Sequence, residues 1–299
     1  MASILVTGGS GLIGKYLCNL LKSKGHKVSI LSRNETSNDS DFYWDISNNF
    51  IDSKAITSAE YIIHLAGAGI ADKRWTSARK KNLIDSRVHS TNLLFNKVKV
   101  LNPDLKAFIS ASGIGYYGAI TSKKIYSETD NPGNDFLSEI CVLWEKAALQ
   151  FNSINIRTVV FRTGVVFSKE GGALEKIIKP IKFNVGAALG TGKQYMPWIA
   201  MEDLCYMYVS AIENSEFNGI YNAVAPDHVT NKELTKSIAK TLKKTLWLPN
   251  IPSFFLKIML GELAVILLEG SRVSSEKIKS TGFKFKYNLL KRFLLEIKN

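Results

Sequence analysis

The sequence predicts a doubly wound α/β fold, a parallel sheet covered by helices on both faces, and three observations predict it. A short apolar strand at the start runs into a turn whose glycines, Gly8, Gly11 and Gly14, fall every third residue before a helical stretch. Further apolar strands then alternate with helical periodicity: residues 27–33, 59–65, 107–112 and 156–162 read as strands, with a helix over 77–98 carried by Leu83, Val88, Leu93 and Leu94. Small residues also collect where those strands end, at 66–69, 113–118 and 163–164. In such sheets ligands bind beyond the carboxyl ends of the strands.

Each element has a physical reason. At the opening turn, Gly8 permits the tight bend, Gly11 lets a pyrophosphate approach the backbone, and Gly14 lets the helix pack close to the strand. Phosphates then meet the free N–H groups of the first helical turn, at Leu12 and Ile13. At the end of the second strand an acid would favour NAD through the ribose hydroxyls. This chain has Ser32 and Arg33 there, a hydroxyl and a guanidinium suited to a 2′-phosphate, so NADP is the expected cofactor. A polar loop follows over 37–41, and Asp45 is weakly placed to meet the adenine edge. Leu65, Ala66 and Gly67 after the third strand, and Gly164 later, are the remaining expected cofactor contacts, being small or backbone-exposing residues at strand ends. From 169 onward the alternation loosens. Residues 1–168, with a return of the chain near 198–225, are therefore expected to form the NADP-binding domain, and 169–197 with 226–299 a small substrate-binding part packed on it.

Composition narrows the class. A chain of 299 residues, 45% hydrophobic, can bury a large core. Cys18, Cys141 and Cys205 lie far apart in apolar contexts, which suits reduced core cysteines and a cytoplasmic protein. The first strand begins almost at once, leaving no room for a signal peptide. Net charge is +13, and from position 232 on there are fourteen Lys and Arg against five Glu. These are dispersed at helical spacing. Lys232, Lys236 and Lys240, then Lys243 and Lys244, form a wet side opposite Leu234, Ile238 and Leu242, so specific nucleic-acid binding is not expected. The apolar run 251–268 is interrupted by Lys257, Gly261 and Glu262 and preceded by Pro249 and Pro252, which argues for a buried or amphipathic helix over a membrane span.

The motifs resemble the extended short-chain dehydrogenase/reductase family, a Rossmann-type fold, beginning with Thr7 to Gly14 against its Thr-Gly-x-x-Gly-x-x-Gly pattern. The likeness narrows to the NAD-dependent epimerase/dehydratase-like subgroup labelled epimerase family proteins through residues 66–75, 85–87, 110–118, 144–145, 162–164, 192–199, 267–270 and 282–283. Ala200 departs from the histidine expected after Trp198-Ile199. The parent family's chemistry uses a tyrosine and a lysine four residues apart on one helix, and in register those positions fall on Leu137 and Cys141. Lys146 cannot substitute, being rotated by about 140° from Cys141. The Tyr287–Lys291 pair has the spacing but lies in the basic C-terminal segment, where it reads as surface.

By that resemblance Ser112 is a candidate hydrogen-bond donor to substrate and Tyr116 a candidate proton donor, with Lys73 and Arg74 the nearest cations by motif and Tyr117 a packing residue. His64 reads as packed, and His26, His89 and His228 lack motif context. Asp203 is open between lining the substrate pocket and capping a helix. No metal site is expected. Together these readings imply an NADP-dependent oxidoreductase or epimerase-like enzyme acting on a small carbonyl or hydroxyl compound, or, because the proton-transfer pair is missing, a non-catalytic NADP-binding sensor or scaffold. A nucleic-acid or membrane-surface protein is a minor third reading, motivated only by charge.

Overall fold

The structure is a computed structural model in which residues 1–34 and 40–297 are described; positions 37–39 of the expected polar loop lie outside them. In chain order the first half contains β1 (Ser3–Thr7), α1 (Leu12–Ser23), β2 (Lys27–Ser32), β3 (Phe42–Asp45), β4 (Phe50–Ile51), α2 (Ser53–Thr57), β5 (Tyr61–His64), α3 (Ser77–Leu101), β6 (Ala107–Gly113), β7 (Ile125–Tyr126) and α4 (Phe136–Leu149). The second half contains β8 (Arg157–Thr163), β9 (Val165–Ser168), β10 (Gly171–Gly172), α5 (Ala173–Lys182), β11 (Trp198–Ala200), α6 (Met201–Glu213), β12 (Gly219–Ala223) and α7 (Asn231–Thr241). It ends with α8 (Ser253–Leu260), α9 (Val265–Leu268), β13 (Arg272–Val273), α10 (Glu276–Ser280) and α11 (Leu290–Ile297).

The main sheet has eight strands in the order β12-β8-β6-β5-β1-β2-β3-β4, parallel throughout except for the β3–β4 pair. Strand order reverses at β1, whose neighbours are β2 on one side and β5 on the other. Such a switch point opens a crevice at the strands' carboxyl ends. Alternation along β1 divides the core. Ile4 and Val6 face the layer that holds Leu17 and Leu21 of α1 and Leu204 and Tyr208 of α6, while Leu5 faces Leu93 and Leu94 of α3 and Ala148 of α4. Both faces of the sheet are therefore covered, which is the doubly wound α/β, Rossmann-like arrangement that the alternation of strands and helices implies.

Two smaller sheets complete the chain, one of them the parallel pair of β7 and β13. Strands β9, β10 and β11 form a three-stranded sheet under α5, α7 and α11, with a core of Phe167, Trp198, Leu234, Ile238 and Phe293. The apolar run 251–268 is not one helix: α8 stops at Gly261, where φ is +62°, and a 3-10 turn leads into α9. No described helix is long and apolar enough to cross a membrane. Tyr287 departs from the sequence reading, being completely buried with its hydroxyl on Glu296, because its ring packs edge-on against Phe293. Asp203 resolves to a structural role: its buried carboxylate accepts the backbone N–H groups of Lys286 (2.7 Å) and Tyr287 (3.0 Å), tying α6 to the C-terminal segment.

Candidate functional site: the crevice at the switch point

The opening turn is a backbone cradle. Gly8 has φ +70°, and a Cβ there would stand 3.0 Å from the backbone of Leu65 and Ala66. A Cβ at Gly14 would lie 2.2 Å from the Gly8 carbonyl, so this glycine is required for packing. Gly11 differs: its Cβ would meet only the Gly8 carbonyl, at 3.3 Å, and otherwise enter open space. It is the N-cap of α1 and supplies no side-chain cap, so the first-turn N–H groups at Leu12 and Ile13 have no side-chain partner. This is the donor set a dinucleotide's phosphates require. Gly172 closes over it from the β10 hairpin, 3.0 Å from Leu12 measured from where its Cβ would be.

The neighbouring strand ends are locked together. In register Thr7 lies beside His64, and Thr7 Oγ1 bonds His64 Nδ1 at 2.7 Å while accepting the Ala66 N–H at 3.2 Å. His64 Nε2 meets Ser90 Oγ of α3 at 3.2 Å. With both nitrogens engaged and no exposure, burial drives the His64 pKa down to about 3. His64 is thus the packed residue its sequence context implies. At the end of β2, Ser32 is half-buried and accepts the Asn34 N–H, whereas Arg33 is exposed. Asp45 does not suit an adenine contact, since its carboxylate is used by the Ser47 and Asn48 N–H groups and the Asn48 side chain to hold a turn. Gly164 is fixed by packing: a Cβ would lie 2.5 Å from the Pro197 carbonyl.

At the carboxyl ends of β6, β8 and β12 the register places Ser112, Arg162 and Asn222 side by side. A buried network joins them. Arg162 donates to Glu145 of α4 through Nε (2.8 Å) and Nη2 (2.9 Å), and through Nη1 to the Tyr117 hydroxyl (3.0 Å), which donates to Asn222 Oδ1 (2.7 Å). Burial opposes the Arg162 charge, yet Glu145 beside it raises its pKa overall, so it stays a cation. Ser112 donates its proton to Glu145 at 2.7 Å and is 5% exposed, so the donor role toward substrate expected of it is already taken. Tyr117 is buried, as a packing residue should be, and burial pushes its pKa up to about 12.

Tyr116 lies flat on this network, the Arg162 guanidinium carbon 3.3 Å from its ring centroid. The cation beside it is Arg162, in place of Lys73 or Arg74, which are exposed and of which Arg74 is held by the Ile258 carbonyl. No hydrogen bond of the Tyr116 hydroxyl to another side chain or backbone group occurs among the described residues. On α4, Gly113 and Gly115 seal the face at Leu137 and Cys141: a Cβ on Gly115 would be 3.2 Å from Leu137 Cβ and 3.6 Å from Cys141 Sγ. Burial pushes the Cys141 thiol up to about 12, so it is an inert core group. Lys146 is exposed on the far side of the helix. Glu145 and Arg162 stood among the motif letters, but their pairing is visible only once β8 is laid beside α4. No group of acids, histidines or cysteines among the described residues has a metal-holding arrangement. A separate cavity of about 550 Å³, lined by Glu128, Leu149, Gly219 and Lys277, opens at the amino end of β12 and is not part of this crevice.

Residues 4–223 match the NAD dependent epimerase/dehydratase family. The chain belongs to that family. Residues 251–297 match a domain of unknown function, DUF1731. An epimerase family protein of Bacillus subtilis is 35% identical over 99% of this chain and 97% of its own. A chloroplastic homologue of the epimerase family protein SDR39U1 from Arabidopsis thaliana is 32% identical over 99% and 86%. Among solved structures, human epimerase family protein SDR39U1, crystallised with NADPH, superposes with a TM-score of 0.90 at 30% identity, each chain covered to 99%. The resemblance read from the motifs is therefore shown, and with it the fold.

Proposed function

We propose that this family member is an NADP-dependent oxidoreductase or epimerase-like enzyme of the cytoplasm, acting on a small carbonyl or hydroxyl substrate without a Tyr-x-x-x-Lys pair. The observation that carries the cofactor choice is the exposed Arg33 after Ser32 at the end of β2, with no acid there, beside the uncapped start of α1. The NADPH in the human relative's crystals supports the same reading. Gly8, Gly11, Leu12 and Ile13 would hold the pyrophosphate by backbone, and Leu65, Ala66, Gly67 and Gly164 would shape the crevice. Bound there, the nicotinamide would exchange a hydride with the substrate carbon. Tyr116 gives or takes the proton at the substrate oxygen, because its hydroxyl has no hydrogen-bond partner among the described residues and its ring is fixed on the Arg162 guanidinium. Ser112, its proton held by Glu145, offers a lone pair to a substrate hydroxyl or only braces the network. The three buried cysteines suit a reducing compartment. Residues 1–168 with the return near 198–225 would form the cofactor part, apart from β9 and β11, which pair in the smaller sheet, and 169–197 with 226–299 the substrate part.

The sealed face of α4 supports a second reading, a non-catalytic NADP-binding sensor or scaffold. Single-turnover oxidation of bound NADPH, followed by absorbance with a panel of aldehydes and ketones, separates the two. At least one carbonyl should oxidise the cofactor if the protein is an enzyme, and none should if it is a module.

A further inference from the structure

Arg87 of α3 is a partly buried cation with no counter-charge among the described residues. Its Nη1 donates to the Leu83 carbonyl (2.9 Å) and its Nη2 to the Ala68 carbonyl (3.0 Å), both neutral acceptors. Burial lowers its pKa, the cation Arg79 opposes its charge further, and the remaining group acting on it is the Cys141 thiol, which is neutral, so no carboxylate stands beside it. Asp85, the nearest acid on its own helix, pairs instead with Lys81 and His89. A guanidinium carries five N–H donors, so two neutral protein acceptors leave it donors to spare as well as an unbalanced charge.

Its position gives this a direction. The guanidinium lies against the backbone of Gly67: a Cβ there would stand 3.1 Å from Cζ and 3.4 Å from Nε. Only glycine allows that approach without displacement. Gly67 and Ala68 follow β5 at the switch-point crevice, and on its other side the guanidinium stacks 5.0 Å from the Trp144 ring of α4. The crevice therefore holds, between the strand ends and α4, a positive group whose balancing anion the described protein residues do not supply.

We propose that Arg87 receives the ribose-phosphate of the nicotinamide half of the dinucleotide, supplying from α3 the positive charge that Cys141 does not supply from α4. The inference rests on the NADP reading and goes beyond it. It is tested by titrating NADPH and 2′,5′-ADP, which carries only the adenosine half, into the intact chain and into Arg87→Gln, Arg87→Lys and Arg33→Ala. Arg87→Gln keeps a donor for the Ala68 carbonyl and should weaken NADPH by about tenfold while leaving 2′,5′-ADP unchanged, as expected for one charge-assisted contact. Arg87→Lys keeps the charge but not the planar fork, so it should weaken NADPH less than Arg87→Gln does while also leaving 2′,5′-ADP unchanged. Arg33→Ala should weaken both ligands. Unchanged NADPH affinity in Arg87→Gln, or parallel loss of both ligands there or in Arg87→Lys, would overturn the inference and leave Arg87 a brace for the Gly67 loop. A parent chain that binds 2′,5′-ADP but not NADPH would also overturn it. If the parent binds neither, the cofactor reading itself has failed.

Discussion

Arg162 and Glu145 show what a single buried pair decides. Neither reaches water, at 1% and 4% exposure, so removing one partner leaves an uncompensated charge. Glu145→Ala should therefore cost roughly 3–5 kcal/mol of stability, read by urea unfolding. Loss below about 1 kcal/mol would mean the pair is not desolvated as placed. The proposed catalysis separates from that scaffold. Tyr116→Phe should lower turnover by about 10²-fold, the scale for losing an acid–base group, while Cys141→Ala should leave it intact. A fully active Tyr116→Phe, or an inactive Cys141→Ala, would remove Tyr116 from the proposed role. Ser112 and Tyr116 were named from the sequence, but their partners were not. Arg162 lies forty-five residues beyond Tyr117 in sequence, and the contact between them is visible only through the β6–β8 register. Asp203 and Asp45 illustrate the same limit: each carboxylate is taken up by backbone N–H groups, and the N–H groups on Asp203 come from a segment more than eighty residues away.

At the scale of elements, the glycine turn was the most legible feature, because its geometry is local. The three glycines nevertheless do different work, and substitution should separate them. Gly11→Val places a side chain in the open space before α1 and should abolish NADPH binding with the fold kept. Gly14→Val should unfold or strongly destabilise the chain, since its Cβ alone would stand 2.2 Å from the Gly8 carbonyl. Circular dichroism with a cofactor titration reads both, and normal NADPH binding by Gly11→Val would show that this turn is not the phosphate site. The β5–α3 junction adds a pH prediction. His64 is neutral when folded, with a pKa near 3, and ionises near 6.5 when unfolded. The unfolded state thus binds the extra proton, so this contribution is complete above about pH 6.5 and is lost on acidification by roughly 1.4 kcal/mol per pH unit down to pH 3. His64→Gln should flatten that limb of the melting temperature against pH; an unchanged slope would place the acid sensitivity elsewhere. Less legible was the C-terminal part. The run 251–268 breaks at Gly261, and Tyr287 is buried by an aromatic cluster with Phe293, both set by tertiary packing that periodicity does not carry.

For the whole molecule, alternation of strands and helices was enough to give the doubly wound arrangement, since a parallel sheet buried on both faces leaves few ways to connect its strands. Its open edge is blunted by side chains from elsewhere: Glu128 accepts the Asn222 N–H of β12 (2.8 Å), and Lys277 donates to the Ile220 carbonyl (2.7 Å). The charge of +13 is spread over exposed helix faces such as that of Lys232, Lys236 and Lys240 on α7. A mixed-sequence DNA or RNA oligomer should accordingly show no submicromolar binding at physiological salt, and tight binding with a steep salt slope would contradict this. The crevice is proposed to be built for a 2′-phosphorylated dinucleotide. Calorimetric titration of NADPH and NADH into the intact chain and into Arg33→Ala tests it most directly. NADPH should bind the intact chain more favourably than NADH by roughly 1.5–3 kcal/mol, and Arg33→Ala should erase the difference. Equal affinities in the intact chain, or an undiminished preference in the variant, would contradict it.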